Sequence, residues 1–295
     1  MEFNQSIKEN ILKHGVYFIA EIGQNHQGNL KIAKDMVDSL IGTGVSAIKT
    51  AKRDIDICLS EELKRTLYDN PHSFGRTYYE HRKALEFSHN EFIELKEYSE
   101  KAGFDFISSF TDLPSLNFLI EIGTKCIKIA SQRLTDFELL NATASKSIPV
   151  IISTGMSSIE DIDKAVLIFT KNEKYLLQCT STYPCPNHEL NLNIIKTYKT
   201  RYRSRIDGVG FSGHHTGIAA DLAAYMLGAI IIERHYTLDR AMKGNDHAAS
   251  LELRGVENIL KYIKQIKESL GDSKKKIIPS ELVAMKKLRS DLFYK

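Results

Sequence analysis

A chain of 295 residues with 42% hydrophobic and 26% charged residues has the make-up of a globular protein able to bury a sizeable core. Its formal net charge of +3 is small and dispersed, which argues against a nucleic-acid partner while suiting an anionic small molecule. The longest apolar run, at 217–232, is broken by Asp221, Tyr225 and Gly228 and is too interrupted to cross a membrane.

The first 15 residues carry charges throughout and contain no apolar signal segment, so cytoplasmic residence without a membrane partner is expected. Short apolar runs then alternate with amphipathic stretches. Residues 17–23 and 47–50 read as strands with a helix over 29–43 between them. A long polar connection follows at 52–88, holding Pro71, Gly75 and the cluster Tyr78-Tyr79-Glu80-His81-Arg82. Its length suggests a lid or binding loop, with a disordered insert as the plain alternative. Beyond it the strands are 104–109, 126–130, 149–153, 175–179, 208–211 and 229–233. The helices are 89–101, 112–122, 135–146, 157–170, 189–201, 216–227 and 252–270. The strands are apolar on consecutive positions, as strands covered on both faces are, and this implies a parallel sheet. Eight strands alternating with eight helices predict an α/β fold, a (β/α)8 TIM barrel over 1–271, with a basic, linker-like tail over 272–295. The four cysteines, Cys58, Cys126, Cys179 and Cys185, form no CxxC pair and read as reduced, mostly buried thiols.

Such barrels carry their chemistry at the C-terminal ends of the strands. The polar residues there are Glu21 on the first strand, with Asn25 and His26 just beyond, and Lys49 on the second. Next come Ser108 and Ser109, then Lys128 and Ser131, then Ser153-Thr154-Gly155. The last three strands lead to Thr180, Ser181 and Tyr183, to Ser212-Gly213-His214-His215, and to Glu233, Arg234 and His235. Two lysines and several hydroxyls converging on one mouth make a pocket for phosphate and carboxylate groups. A strand lysine is often only an edge residue that reaches solvent. Lys49 and Lys128 have apolar neighbours on both sides, however, and an unpaired ammonium there would be costly without an anion. His214 and His235 end adjacent strands and could aim at one ion. Two imidazoles with oxygen donors suit Mn2+ first, with Mg2+ or Co2+ as alternatives, better than closed tetrahedral zinc. A lone histidine is more often structural, and His215 is read that way.

The stretches AEIGQNHQGNLKIAKDMVD at 20–38, IKIAS at 127–131, PVIISTGMSS at 149–158, CTSTYPCP at 179–186, FSGHHTGI at 211–218 and IIERHYTLDRAMKGNDHAASLE at 231–252 resemble the sialic-acid (N-acetylneuraminate or nonulosonic-acid) synthase family. They run in family order across nearly the whole chain. The resemblance implies a transferase that condenses phosphoenolpyruvate with an N-acyl mannosamine-like sugar. It implies that Lys49, Ser109, Lys128, Ser131, Ser153 and Ser212 hold phosphoenolpyruvate, that His214 and His235 hold the divalent metal, and that Glu21 lies near the attacking water. Tyr183 and Asp246 would contact the sugar. The family's Asp before the metal histidine is Gly213 here, its Gln after the strand-two lysine is Ala51, and its Gly-Pro-Asp reads Gly244-Asn245-Asp246. These departures face the sugar more than the phosphate. The family normally continues into a small antifreeze-like domain that lends an arginine to the partner subunit of a homodimer. Residues 279–295 resemble the linker to that domain, so either a short form or a domain on another polypeptide is expected, with Arg82 or Arg76 as the substitute cation. The competing readings are a synthase making a related keto-deoxy sugar acid from a phosphorylated aldose, and a non-catalytic sugar-binding relative. The first needs a second phosphate site, and the sequence shows no spare basic cluster at the mouth.

Overall fold

A computed structural model describes residues 3–289. Eight parallel strands close into a ring in chain order: β1 (Tyr17–Gly23), β2 (Ala47–Lys52), β3 (Asp105–Phe110), β4 (Ile127–Ile129), β5 (Val150–Ser153), β6 (Lys174–Cys179), β7 (Gly208–Gly213) and β8 (Ile231–His235). The (β/α)8 barrel expected from the alternation is the fold observed, and β1 closes it by pairing with β8 from Tyr17↔Ile231 to Glu21↔His235. Among the described residues no helix is long and apolar enough to cross a membrane.

Successive side chains on a strand face opposite ways, so each strand feeds two cores. Phe18, Ala20 and Ile22 of β1 face outward and pack with Ile48, Phe106, Ile127 and Ile152 against the helices. Tyr17, Ile19, Ala47, Ile107, Cys126, Ile151, Leu177 and Ile231 face inward and fill the barrel below its mouth. The next inward position on the strands is polar: Glu21, Lys49, Ser109, Lys128, Ser153, Ser212 and Glu233 stand one layer above that apolar plug. A side-chain period of two therefore lifts the polar set to the C-terminal end as a single tier.

The N-terminal end of the barrel is shut by the helix Phe3–His14, which the charged opening segment did not announce. Phe3 and Ile7, four residues apart, bury one face of it, and Phe3 packs edge-on against Tyr17 and Tyr175 at centroid separations of 5.5 and 6.2 Å. The connection after β2 is folded rather than extended. It carries the short helices Ile55–Cys58, Glu61–Arg65 and Tyr78–Ala84, the last started by a reciprocal Thr77–Glu80 capping box. Past the long amphipathic helix Leu253–Leu270, the tail holds an exposed helix, Pro279–Leu288, with no buried residue.

Candidate active site

The floor of the mouth is an ionic tier. Lys128 Nζ donates to Ser153 Oγ at 2.7 Å and to Glu233 Oε1 at 3.1 Å, and Ser212 Oγ donates to the same Glu233 oxygen at 3.2 Å. Lys49 Nζ lies 3.7 Å from Glu233 Oε1 and contacts the Glu21 carboxylate, its register partner on β1. Lys49 and Lys128 are only 5% and 3% exposed, so both ammoniums are held in a largely dry pocket. Burial lowers Lys49 from 10.5 to about 7, against the opposing pull of Glu233 and with the help of the Lys128 charge. Burial would raise the Glu233 carboxyl, but the charges of Lys128 and Lys49 more than offset it and hold it down at about 2. Among the described residues its Oε2 has no hydrogen-bond partner.

Beside this tier, Ser131 Oγ accepts from the Gly155 backbone N–H at 3.1 Å. A Cβ on Gly155 would run into the hydroxyls of Ser131 and Ser181, so the turn after β5 can approach them only as glycine. On the other side, the rings of His214 and His235 stand 5.5 Å apart, centroid to centroid. His214 Nδ1 pairs with the Thr180 carbonyl at 2.9 Å, which places the ring proton there and leaves Nε2 as a lone-pair donor. Burial pushes His235 down to about 4, and its Nδ1 is buried without a hydrogen-bond partner, 4.0 Å from Asp246 Oδ2. Two facing imidazoles, one of them held neutral by burial with an orphaned nitrogen beside a carboxylate, fit a divalent cation. Among the described residues no group of three or more His, Cys, Asp or Glu side chains is arranged to hold a metal, so the remaining donors would come from water or substrate. Tyr183, 48% exposed, lays its ring over His214 at 3.9 Å between centroids.

Apart from Arg76, the alternative to Arg82, every residue singled out for the site lines one cavity of about 410 Å³: Glu21, Lys49, Ser109, Lys128, Ser131, Ser153, Tyr183, Ser212, His214, His235, Asp246 and Arg82. Of the other strand-end residues Ser181 and Glu233 also line it, and several do not. Asn25 donates to the Tyr236 carbonyl, His26 stacks on Phe87, and Thr154 and Thr180 bond to backbone carbonyls. His215 meets Arg234 and Asp221 in a buried cluster behind β7 and β8. Two charged lining residues were not foreseen in their roles. Glu233 was noted at a strand end but not as the counter-charge of both lysines. Arg53, one residue past β2, lines the rim with Arg82, so the mouth does hold basic groups beyond its two lysines. The alternation of Lys49, Ala51 and Arg53 was the signal for it.

A barrel whose mouth gathers buried cations, hydroxyls, carboxylates and an imidazole pair is built as an enzyme that handles small anionic substrates. Residues 36–275 match the model of the NeuB family. Human N-acetylneuraminate-9-phosphate synthase is 37% identical over 94% of this chain and 77% of its own length. The N,N'-diacetyllegionaminic acid synthase of Legionella pneumophila is 34% identical over 90% and 76%. Among solved structures, the N-acetylneuraminic acid (sialic acid) synthetase of Leptospira borgpetersenii superposes with a TM-score of 0.78 at 34% identity, covering 95% of this chain and 93% of that one. The chain belongs to the NeuB family, a family of nonulosonic-acid synthases, and is an enzyme of that synthase kind.

Proposed function

We propose that this enzyme joins phosphoenolpyruvate to the open-chain aldehyde of an N-acyl mannosamine-like sugar, giving a nonulosonic acid and inorganic phosphate. The observation that carries the reading is the pair of buried ammoniums, Lys49 and Lys128, ringed by Ser109, Ser131, Ser153 and Ser212 in one tier. Buried cations with hydroxyl donors around them are the chemistry that a phosphate and a carboxylate need.

In this reading Lys49 and Lys128 bind the donor's phosphate, and the serine hydroxyls orient its carboxylate. The phosphate competes with Glu21 for Lys49 and so frees the Glu21 carboxylate. A divalent cation, Mn2+ first among the candidates, would be held by His214 and His235 and would supply Lewis-acid polarisation of the acceptor aldehyde. Tyr183 and Asp246, beside that imidazole pair, position the sugar. The C2=C3 π pair of phosphoenolpyruvate forms the bond from C3 to the aldehyde carbon. The C=O π pair moves onto the aldehyde oxygen, which takes up a proton from solvent, and C2 is left electron-poor. Water adds to C2 with its proton passing to Glu21, and the C2–O bond to phosphate breaks to leave the keto acid. Lys49 and Lys128 take up the charge on the departing phosphate. The human relative is named for a 9-phosphate product, so the acceptor panel includes phosphorylated as well as free sugars. The test is phosphate release from phosphoenolpyruvate with Mn2+ and a panel of N-acyl mannosamine-type sugars. Release with none of them, alongside release with a simple aldose phosphate, sinks the proposal.

A further inference from the structure

The inward positions of β6 run Tyr175, Leu177 and Cys179, and the third, in register with Ser212 of β7, brings a thiol into the polar tier. Cys179 is 6% exposed and stands between a hydroxyl of the donor pocket and an imidazole of the metal pair. Ser131 Oγ donates to its Sγ at 3.5 Å. His214 Nδ1 lies 3.9 Å from the same sulfur and Ser181 Oγ 4.0 Å. Because Ser131 already accepts from the Gly155 N–H, its single proton is the one that points at the sulfur. The turn after β5 closes tightly on this group, since a Cβ on Gly155 would come within 3.2 Å of Sγ. One buried sulfur thus touches side chains from β4, β6 and β7 that the condensation assigns to two different ligands.

A thiol sulfur is a weak acceptor, whereas a carboxylate or phosphate oxygen is a strong one. When phosphoenolpyruvate enters, the Ser131 proton turns from the sulfur to the donor. The freed sulfur lone pair then faces the Nδ1–H of His214, whose main partner is the Thr180 carbonyl. A further acceptor at Nδ1 makes the other ring nitrogen a better electron-pair donor, and outer partners of this kind strengthen the hold of an imidazole on its cation. We propose that Cys179 is a positioning residue that couples the donor pocket to the imidazole pair, so that bound phosphoenolpyruvate tightens the divalent cation. By reciprocity the cation tightens phosphoenolpyruvate by the same factor. The inference rests on the condensation reading, which puts the donor at Ser131 and the cation at His214, and adds to it a linkage between the two.

The experiment measures Mn2+ binding to chelator-stripped enzyme by calorimetry, with and without saturating phosphoenolpyruvate and with no acceptor sugar. It compares the wild type with Cys179→Ala, Cys179→Val and Cys179→Ser. Phosphoenolpyruvate should lower the Mn2+ Kd of the wild type by about 10-fold or more, because attraction between the two ligands' charges adds to the bridge. In Cys179→Ala that ratio should shrink by about 3- to 10-fold, the scale of one weak hydrogen bond. Cys179→Val fills the space without offering an acceptor and should lose as much, which separates the sulfur's lone pairs from its bulk. Cys179→Ser keeps an acceptor between the two side chains and should recover part of the linkage. Circular dichroism checks that each variant is folded, and the valine variant decides if the alanine one is not. A ratio equal to the wild type's in the folded Ala or Val variant overturns the bridge, since a packing role alone changes stability and leaves the linkage intact. A wild type that binds both ligands with no linkage also overturns it and leaves the condensation standing. A wild type that binds neither Mn2+ nor phosphoenolpyruvate overturns the condensation reading and the bridge with it, a distinguishable result.

Discussion

Lys128 reaches across the barrel mouth from β4 to bond Glu233 on β8 at 3.1 Å, and that carboxylate oxygen also lies 3.7 Å from Lys49. One buried carboxylate thus neutralises the space between two buried ammoniums. Removing one partner of such a set leaves uncompensated charge, at a cost of about 3–5 kcal/mol. Glu233→Gln is therefore expected to lower the melting temperature of the free enzyme, and saturating inorganic phosphate should restore more of it than the same phosphate adds to the wild type. Thermal unfolding with and without phosphate reads both. An equal loss in the two conditions would mean that Glu233 does not stand where the anion's charge is needed.

The depressed pKa of Lys49, about 7, makes anion binding sensitive to pH. The lysine must be protonated to attract phosphate, and in the free enzyme it loses its proton as pH rises through about 7. A phosphate ester has its second pKa near ~6, so its own charge is constant above pH 7. Phosphoenolpyruvate affinity should then fall about tenfold per pH unit above 7, measured by calorimetry up to pH 9. For stability the sign is the opposite. Between about 7 and 10.5 the unfolded chain holds the Lys49 proton and the folded one does not, so this group's contribution to stability rises with pH across that window and is lowest below it. Affinity that stays flat from pH 7 to 9 would show that Lys49 keeps its proton throughout.

The pocket was legible because barrel chemistry collects at strand ends, and a period of two carries Glu21, Lys49, Lys128 and Ser212 to the same tier. What the sequence hid was pairing across the ring. Nothing local to Lys128 indicates that its counter-charge lies 105 residues away at Glu233. The buried lysines were read as waiting only for an external anion, whereas the fold supplies carboxylates that hold them in its absence. Arg53 escaped notice for a similar reason. It falls three residues beyond the expected strand at 47–50, where charge reads as solvated loop, and its meeting with Arg82 depends on how the 52–88 segment folds back. The opening helix was missed because its lysines and glutamates outweigh Phe3 and Ile7, whose four-residue spacing marks the buried face.

Glu21 is the carboxylate best placed to take a proton from attacking water. It is buried, touches Lys49, and lies in register with His235. Glu21→Gln keeps the shape and loses the base. Turnover should drop by about 100- to 10,000-fold while phosphoenolpyruvate still binds. Single-turnover rates together with a binding isotherm make the comparison, and full turnover in the variant would exclude Glu21 from the water step.

The imidazole pair predicts a metal requirement. Treatment with a chelator should abolish phosphate release, and Mn2+ should restore it. Mn2+ should also raise the melting temperature of the stripped wild type, because a ligand that binds only the folded state stabilises it. His214→Ala and His235→Ala should each remove that rise. If the stripped enzyme turns over at the untreated rate, the two histidines serve some other purpose.

Behind the pair runs a buried ionic strut. Arg234, 1% exposed and set between Glu233 and His235 on β8, donates to Asp221 Oδ2 at 2.5 Å and to the His215 carbonyl at 2.6 Å. Its Nη1 also meets His215 Nε2 at 3.0 Å. Asp221 belongs to the helix Ala219–Met226, so the strut ties that helix to the chain on either side of both imidazoles. Asp221→Leu strands a buried guanidinium and should cost about 3–5 kcal/mol in urea unfolding. Replacing both partners, as Asp221→Leu with Arg234→Met, removes the stranded charge and should recover most of that stability. Metal affinity tells structure from function here. The double variant should remain weak in Mn2+ binding even when as stable as the wild type, since no ionic contact then fixes the backbone beside His214. Full Mn2+ affinity in a stable double variant would reduce the strut to a packing element.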